Sequence, residues 1–268
     1  MTRQIKASRD RSLRVLAFCL AGVVCVAPGA LAADLLSGTW TSGEGATALT
    51  YVFKMSGDRF TGIVCGPCDN PATVFEIEDG SMVDAGRAVF FVRHEGKGRD
   101  RVEASIARNA LTLSVRAEAN PKAVPVSSSL MRVVPNFELV AKPLPPPASA
   151  AGPVSASSLV EGRWVSAGRT AQQNWILKVR DGRIWGLVCG PCTPSVVTMI
   201  DGRLAGNTIT FYINHIDTPP DAARQGIQRN VMTGTIGAGV NANVMRFTWV
   251  REQSPEQSGE IVMFGPLR

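Results

Sequence analysis

Short runs in which apolar and polar residues alternate follow one another along most of the chain. They cover 49–55, 59–64, 74–78, 88–93, 102–106, 111–115 and 130–134 in the first half, and 175–179, 183–188, 196–200, 208–213, 231–236 and 244–250 in the second. Pairs of glycine with Asp or Asn separate many of these runs, where hairpin turns need residues that tolerate positive φ. A period of two predicts strands, and no window has a sustained helical period apart from one turn around 221–225. The pattern therefore predicts an all-β protein.

The two halves of this pattern are copies of one another. Residues 38–68 align without a gap on residues 162–192, and eleven of the 31 aligned positions are identical. The identical pairs are Gly38/Gly162, Trp40/Trp164, Ser42/Ser166, Lys54/Lys178, Arg59/Arg183, Gly62/Gly186, Val64/Val188 and the four residues of a Cys-Gly-Pro-Cys motif. Farther along, the Asp-Gly pair at 79–80 matches the pair at 201–202, and both are expected to form turns. An internal repeat of this length predicts two domains of the same fold.

Each copy contains seven or eight predicted strands, which favours an antiparallel meander closed into a small barrel-like domain. Between the copies lies a segment rich in Pro, Ala and Ser, which cannot form a packed core and is expected to be a semi-rigid spacer. We therefore predict a barrel-like repeat at 33–141, a linker at 142–158 and a second barrel-like repeat at 159–268.

The first 32 residues have the three parts of a secretory signal peptide. Five basic residues lie between positions 3 and 14, an apolar stretch covers 15–26, and Ala-Leu-Ala at 30–32 provides the small residues that a signal peptidase requires. We expect cleavage before Ala33 and a periplasmic or secreted mature protein with no stable membrane insertion. A retained anchor is the alternative, because residues 15–33 are almost long enough to span a bilayer.

The predicted signal peptide carries most of the excess charge of the chain. The whole chain has a net charge of +6; residues 1–32 contain five Lys or Arg and one Asp, so the remainder has a net charge of +2. A strongly basic protein would favour nucleic acid or an anionic membrane as its partner. A nearly balanced mature chain gives no such reason, and we expect no nucleic-acid partner.

Each copy opens with Gly-x-Trp, at 38–40 and at 162–164. A hairpin, a glycine-containing turn, an Asp-Gly pair and an aromatic strand then follow in the same order. This order resembles the tandem lipocalin-like small β-barrel domains of exported bacterial proteins. The resemblance implies that Trp40 and Trp164 plug one end of each barrel as core residues. It also implies a role in binding small apolar ligands, inhibiting proteases or assembling envelope structures, among which a fold alone does not choose.

The four cysteines of the mature chain all lie in the two Cys-Gly-Pro-Cys motifs. The motif resembles the active site of thioredoxin, where the first cysteine lies at a helix N-terminus. Here a valine precedes each motif and another strand follows it, so the resemblance is local and a thioredoxin fold is rejected. In an oxidising compartment, we expect disulfides Cys65–Cys68 and Cys189–Cys192 that close the loop between the third and fourth strands. A ring of about four residues contributes about 2 kcal/mol to stability.

Two other roles of the motif stay open. In a redox shuttle or sensor, Cys65 and Cys189 would attack and the second cysteine of each pair would resolve the mixed disulfide. In a zinc protein, the two pairs would supply tetrahedral thiolate ligands, with a histidine as a further candidate. The disulfide interpretation needs neither a metal nor a cofactor.

His94 and His215 are the only histidines of the chain, and they end equivalent strands. With no acid or nucleophile motif beside them, each is expected to be a surface or rim residue, with ligand contact or proton transfer as the alternative. No nucleophile elbow, phosphate loop or metalloprotease helix is present. We therefore expect a non-enzymatic binding or interaction protein whose partner is a small ligand or an envelope protein. A thiol–disulfide redox protein and a zinc-binding envelope protein are the alternatives.

Overall fold

The computed structural model of the protein describes residues 35–43, 47–135, 157–167, 172–190, 192–193, 197–214, 229–237, 243–252 and 254–267. The predicted signal peptide, the linker up to residue 156, His215 and the turn predicted around 221–225 lie outside these residues.

The first repeat contains eight strands. They are β1 (Gly38–Thr41), β2 (Thr50–Ser56), β3 (Arg59–Cys65), β4 (Val74–Asp84), β5 (Arg87–His94), β6 (Gly98–Ala107), β7 (Ala110–Ala117) and β8 (Val126–Pro135). A 3₁₀ turn, Pro71–Thr73, precedes β4. Each strand pairs antiparallel with the next, and β1 also pairs with β8, which closes a barrel.

The second repeat forms the same kind of barrel after a single helical turn, α1 (Ser157–Val160). Its strands are β9 (Gly162–Ala167), β10 (Gln172–Arg180), β11 (Arg183–Cys189), β12 (Thr198–Ala205), β13 (Thr208–Asn214), β14 (Arg229–Ile236), β15 (Val244–Arg251) and β16 (Ser254–Leu267). β9 pairs with both β10 and β16, which closes the barrel. The predicted all-β class with two tandem antiparallel barrel-like repeats is therefore confirmed, with eight strands in each repeat.

Alternation along each strand sends every second side chain into a barrel. In the first barrel the rings of Phe53, Phe60 and Phe90 meet edge to face, with centroids 5.4–5.7 Å apart. In the second barrel Trp175 and Phe211 lie with centroids 6.0 Å apart. All five rings are buried. The middle of each barrel is therefore a packed core of side chains.

The tryptophans of the two Gly-x-Trp segments belong to these cores. Trp40 and Trp164 are fully buried, and their indole Nε1 atoms donate hydrogen bonds to the carbonyl oxygens of Leu36 (2.8 Å) and Val160 (2.7 Å). Each accepting residue lies just before the first strand of its barrel. In the first barrel the guanidinium of Arg132 also lies over the Trp40 ring, 4.7 Å from its centroid. Each tryptophan thus ties the segment that enters a barrel to the barrel core.

A glycine that is identical in the two repeats lets β2 and β3, and likewise β10 and β11, approach closely. A Cβ at Gly62 would lie 2.2 Å from the carbonyl oxygen of Val52, and one at Gly186 would lie 1.9 Å from the carbonyl oxygen of Ile176. Both obstacles are backbone atoms, which cannot move aside without disturbing the strand pairing. Any side chain at these two positions would therefore disrupt the barrel.

The Asp-Gly pairs that were predicted to form turns lie inside strands, at 79–80 in β4 and at 201–202 in β12. In β4 the pairing with β3 shifts register at this point, and Asp79 has a φ of 51°. A Cβ at Gly80 would lie 2.4 Å from the Phe60 ring. In β4 the prediction was wrong because a β-bulge, like a turn, uses residues that tolerate positive φ. In β12 the pairing is regular, and the glycine allows close approach instead, since a Cβ at Gly202 would lie 2.3 Å from the Cβ of Phe211.

Candidate functional site

Both cysteine motifs lie in the connection between the third and fourth strands of a barrel. Cys65 is the last residue of β3, and Cys189 is the last residue of β11. The sulfur–sulfur distance is 1.98 Å in the Cys65–Cys68 pair and 1.99 Å in the Cys189–Cys192 pair. Three of the four cysteines are buried, and Cys192 is partly buried. Each motif therefore forms a local ring at the end of a core strand.

Side chains from neighbouring segments hold the two motif loops. In the first barrel Thr73 Oγ1 donates a hydrogen bond to the carbonyl oxygen of Pro67 at 2.6 Å. In the second barrel Asn174 Nδ2 donates to the carbonyl oxygen of Gly190 at 3.3 Å and lies 3.5 Å from the Sγ of Cys192. The two loops thus have the same covalent ring and different polar neighbours.

The sulfur atoms belong to an apolar cluster that both barrels share, here called the inter-barrel cluster. Its buried members are Val52, Ile63, Cys65, Cys68 and Val74 from the first barrel and Ile176, Trp185, Leu187, Cys189, Val197 and Met199 from the second. On β2, the neighbours Tyr51 and Phe53 point into the barrel core, so Val52 points outward. The outer faces of β2–β4 and β10–β12 therefore pack against each other.

The two barrels contribute equivalent positions to this cluster. Val52 pairs with Ile63 across β2 and β3, and Ile176 pairs with Leu187 across β10 and β11 in the corresponding register. A contact made by the same surface patch on two related units is the arrangement found in two-fold symmetric dimers. Each repeat thus carries the same apolar outer face, and the two faces cover each other.

Ion pairs between the two barrels lie beside the inter-barrel cluster. Glu76 on β4 accepts hydrogen bonds from Arg180 and Arg183 of the second barrel. Lys178 Nζ donates to Glu95 Oε1 at 2.6 Å. In each of these pairs the acid comes from the first barrel and the base from the second. This complementarity fixes the orientation of two faces that are otherwise alike.

The two glutamates of β4 differ in pKa. Burial raises the pKa of Glu76, against the opposing effect of the Arg183 and Arg180 charges. Burial would also raise the pKa of Glu78, but the hydrogen bond from Arg93 Nε, at 2.6 Å, and the charge of Arg180 together hold it below its ordinary value. As pH falls, Glu76 therefore accepts a proton before Glu78 does.

The inter-barrel contact was not predicted from the sequence, although the sequence contains a signal for it. Strands β3 and β11 end in apolar residues on both faces, at 62–65 and 184–189. A strand that is buried on both faces has a continuous apolar run in place of an alternating one. The same break in alternation occurs at the same place in both copies, which indicates a second buried face.

Burial in the cluster limits the chemistry of the sulfurs. Thiol–disulfide exchange requires an attacking thiolate to reach a disulfide sulfur. Cys65, Cys68 and Cys189 are covered by the opposing barrel or by their own loops, so Cys192 is the most accessible of the four. Within the part of the chain that the structure describes, no group of three or more His, Cys, Asp or Glu side chains is placed to hold a metal ion.

His94 lies at the end of β5, on the face of the strand that points into the first barrel. Its Nε2 is 2.9 Å from Asp100 Oδ2 on β6, and its ring centroid is 4.6 Å from that of Phe75. Asp100 also affects Tyr51, a core residue of the same barrel. Burial, together with the Asp100 charge, raises the pKa of the Tyr51 hydroxyl to about 12. His94 is thus a paired rim residue, while the equivalent His215 lies outside the described residues.

No protein-family model matches this chain, and no curated protein matches it. None of the helices in the described ranges has both the length and the apolar character needed to cross a membrane.

Proposed function

We propose that this protein is an exported, non-catalytic binding or interaction protein. The two barrels form one body, and the two disulfides stabilise the loops through which the barrels touch. The observation that carries this proposal is the position of both Cys-Gly-Pro-Cys motifs in the inter-barrel cluster. A catalytic disulfide has to be exposed to its substrate, whereas a structural one gains from burial.

The packed cores support surface recognition over capture inside a barrel. Aromatic rings fill the middle of both barrels. A ligand or partner would therefore bind at the barrel ends or on the outer faces away from the inter-barrel cluster. The paired His94 and Asp100 lie at one such end.

A redox titration of the purified mature protein tests the role of the disulfides. Alkylation and mass spectrometry follow each motif separately, and reduction of insulin provides an activity assay with a thioredoxin as the positive control. We expect midpoint potentials below about −300 mV for both motifs and no insulin reduction. Midpoints between about −270 and −120 mV together with insulin turnover would overturn the proposal.

One observation favours a thiol–disulfide redox protein as the second candidate. Cys192 is only partly buried, and the amide of Asn174 lies 3.5 Å from its sulfur. Because Cys192 is the accessible sulfur, exchange would take place there, in the reverse of the roles expected from the sequence. If this candidate is correct, Cys189→Ser should accumulate mixed disulfides through Cys192, and Cys65→Ser should accumulate fewer of them through Cys68. The zinc-binding alternative is tested on the same preparation, because it requires bound zinc in protein purified without a reductant.

Export is tested by expressing the full chain in a Gram-negative bacterium and sequencing the N-terminus of the product. We expect an N-terminus at Ala33 and recovery from the periplasm or the medium. A double substitution of the small residues at 30 and 32 by lysine should block processing. An intact N-terminus in the membrane fraction of the unmodified protein would instead support the retained anchor.

A further inference from the structure

Polar side chains collect inside one end of the second barrel. Ser166, Thr198 and Asn230 are buried there, near the ends of β9, β12 and β14 where the strands meet the loops of the motif side. Asn230 is 4% exposed. On β14 it alternates with the core residue Met232, so its side chain points into the barrel.

Among the residues that the structure describes, two polar atoms at this end have no hydrogen-bond partner. They are Oδ1 of Asn230 and Nε of Arg251, and both atoms are shielded from solvent. Asn230 and Arg251 are direct partners across β14 and β15, so their Cβ atoms are about 5 Å apart on one face of the sheet. Nη1 of Arg251 is held by Oε1 of Gln257. An unpartnered acceptor therefore lies beside an unpartnered donor.

Buried polar atoms without partners are costly, and native structures contain few of them. The first barrel avoids this cost at the equivalent site. By strand register, Asp100 in β6 occupies the position of Asn230, and its carboxylate is paired with His94. Among the described residues, this unpartnered pair therefore occurs in the second barrel and not at the equivalent site of the first, so the fold itself does not require it.

Two indole rings also lie at this end of the barrel. Trp249, on β15 two residues before Arg251, packs against the barrel core and lies over Gly259. Trp175 also faces inward, and its Nε1 donates to Ser166 Oγ at 2.9 Å. An indole face close to a guanidinium can contact an aromatic or aliphatic group while the guanidinium holds an anion.

We propose that this end of the second barrel binds a small organic carboxylate that also carries a hydroxyl or amino donor. The carboxylate accepts a hydrogen bond from Nε of Arg251, and the hydroxyl or amino group donates to Oδ1 of Asn230. This proposal rests on the binding function proposed above and names the ligand class.

Isothermal titration of the mature protein with mandelate, phenyllactate, lactate, phenylalanine and serine tests the proposal. Phenylacetate, which has no hydroxyl, and mandelamide, which has no charge, are the matched control ligands. We expect at least one hydroxy or amino acid to bind with a Kd below about 1 mM, and both control ligands to bind about tenfold more weakly or not at all.

Variants assign the binding to the two residues. Arg251→Gln should weaken binding about tenfold or more, and Arg251→Lys should keep part of it, since the charge remains. Asn230→Ala should reduce the preference for mandelate over phenylacetate. Arg246→Gln is the control, because Arg246 lies on the same strand and its side chain is exposed on the outer face. Circular dichroism confirms that each variant folds.

Three results would overturn the proposal: no heat from any acid of the panel, equal binding of the control ligands, or equal weakening by Arg246→Gln. In the first case, an Asn230→Leu variant that is as stable as the unmodified protein would show that Oδ1 of Asn230 needs no ligand. None of these results changes the outcome of the redox titration. Failure of this ligand site can therefore be distinguished from failure of the proposed structural role of the disulfides.

Discussion

Glu76 in the first barrel accepts a hydrogen bond from Arg183 in the second, so the carboxylate of one repeat is held by the guanidinium of the other. The Glu76 side chain is 2% exposed, whereas that of Arg183 is 34% exposed. A guanidinium with this exposure can be solvated when its partner is removed, but the buried carboxylate depends on the two arginines for compensation. Compensation of the Glu76 charge therefore depends on contact between the two barrels.

Replacing Glu76 by alanine should lower the free energy of unfolding by about 2 kcal/mol. This lies below the range for a fully buried ion pair because Arg180 and Arg183 are each about one third exposed, and because the substitution also removes the buried carboxylate whose desolvation raises the Glu76 pKa. Urea denaturation measures the effect. Glu103→Ala is the control, since its ion pair with Arg101 is exposed on both sides and should contribute less than about 1 kcal/mol. Equal losses in the two variants would contradict the importance of the contact.

A charge inside the inter-barrel cluster should separate the barrels. Leu187 is fully buried there, so Leu187→Asp would leave an unpaired carboxylate in an apolar contact. We expect a larger radius of gyration by small-angle scattering and a red shift of tryptophan emission as Trp185 becomes exposed. Val250→Asp, on the outer face of β15 and already partly exposed, should change neither quantity. An unchanged radius in Leu187→Asp would show that the linker, and not this cluster, sets the distance between the barrels.

Removing one disulfide should lower the free energy of unfolding only modestly. In Cys65→Ala/Cys68→Ala, loss of the four-residue ring should lower the free energy of unfolding by about 2 kcal/mol, and loss of buried sulfur packing should add to it. In the Cys189→Ala/Cys192→Ala variant, dithiothreitol can open only the Cys65–Cys68 ring and keeps its sulfur atoms, so comparing that loss with the loss in Cys65→Ala/Cys68→Ala separates these contributions. The double variant at Cys189 and Cys192 should behave similarly. A variant as stable as the unmodified protein would mean that the ring does not stabilise the folded state.

Lowering the pH should reduce the free energy of unfolding, in part because Glu78 becomes protonated. Its pKa in the folded protein is below the ordinary value, so the folded state binds fewer protons at this group than the unfolded state does. The resulting stability is present above the unfolded pKa of about 4.3 and is lost as pH falls through the lower folded pKa. Glu78→Gln should therefore be less stable than the unmodified protein at pH 6, and the difference should shrink between pH 5 and pH 3. A difference that does not change with pH would contradict the ionic role of Glu78.

The alternating sequence was sufficient to predict the strands and the barrel interiors. Phe53 and Phe90 lie in runs of period two, and both are in the first core. The repeat predicted that whatever fold one half adopts, the other adopts as well, and both halves are eight-stranded barrels. These properties are local or duplicated, so they can be derived from neighbouring residues along the chain.

Tertiary structure alone decided which outer faces meet and which polar atoms stay without partners. Glu76 has no basic residue near it in sequence, and its partners Arg180 and Arg183 come from the other repeat. Asn230 and Arg251 are neighbours only because β14 and β15 pair in one register. The pleat of a strand fixes the side to which a residue points, and this is a local property that the sequence determines. What covers that side depends on strand register and barrel contact, which are set by residues distant in the chain.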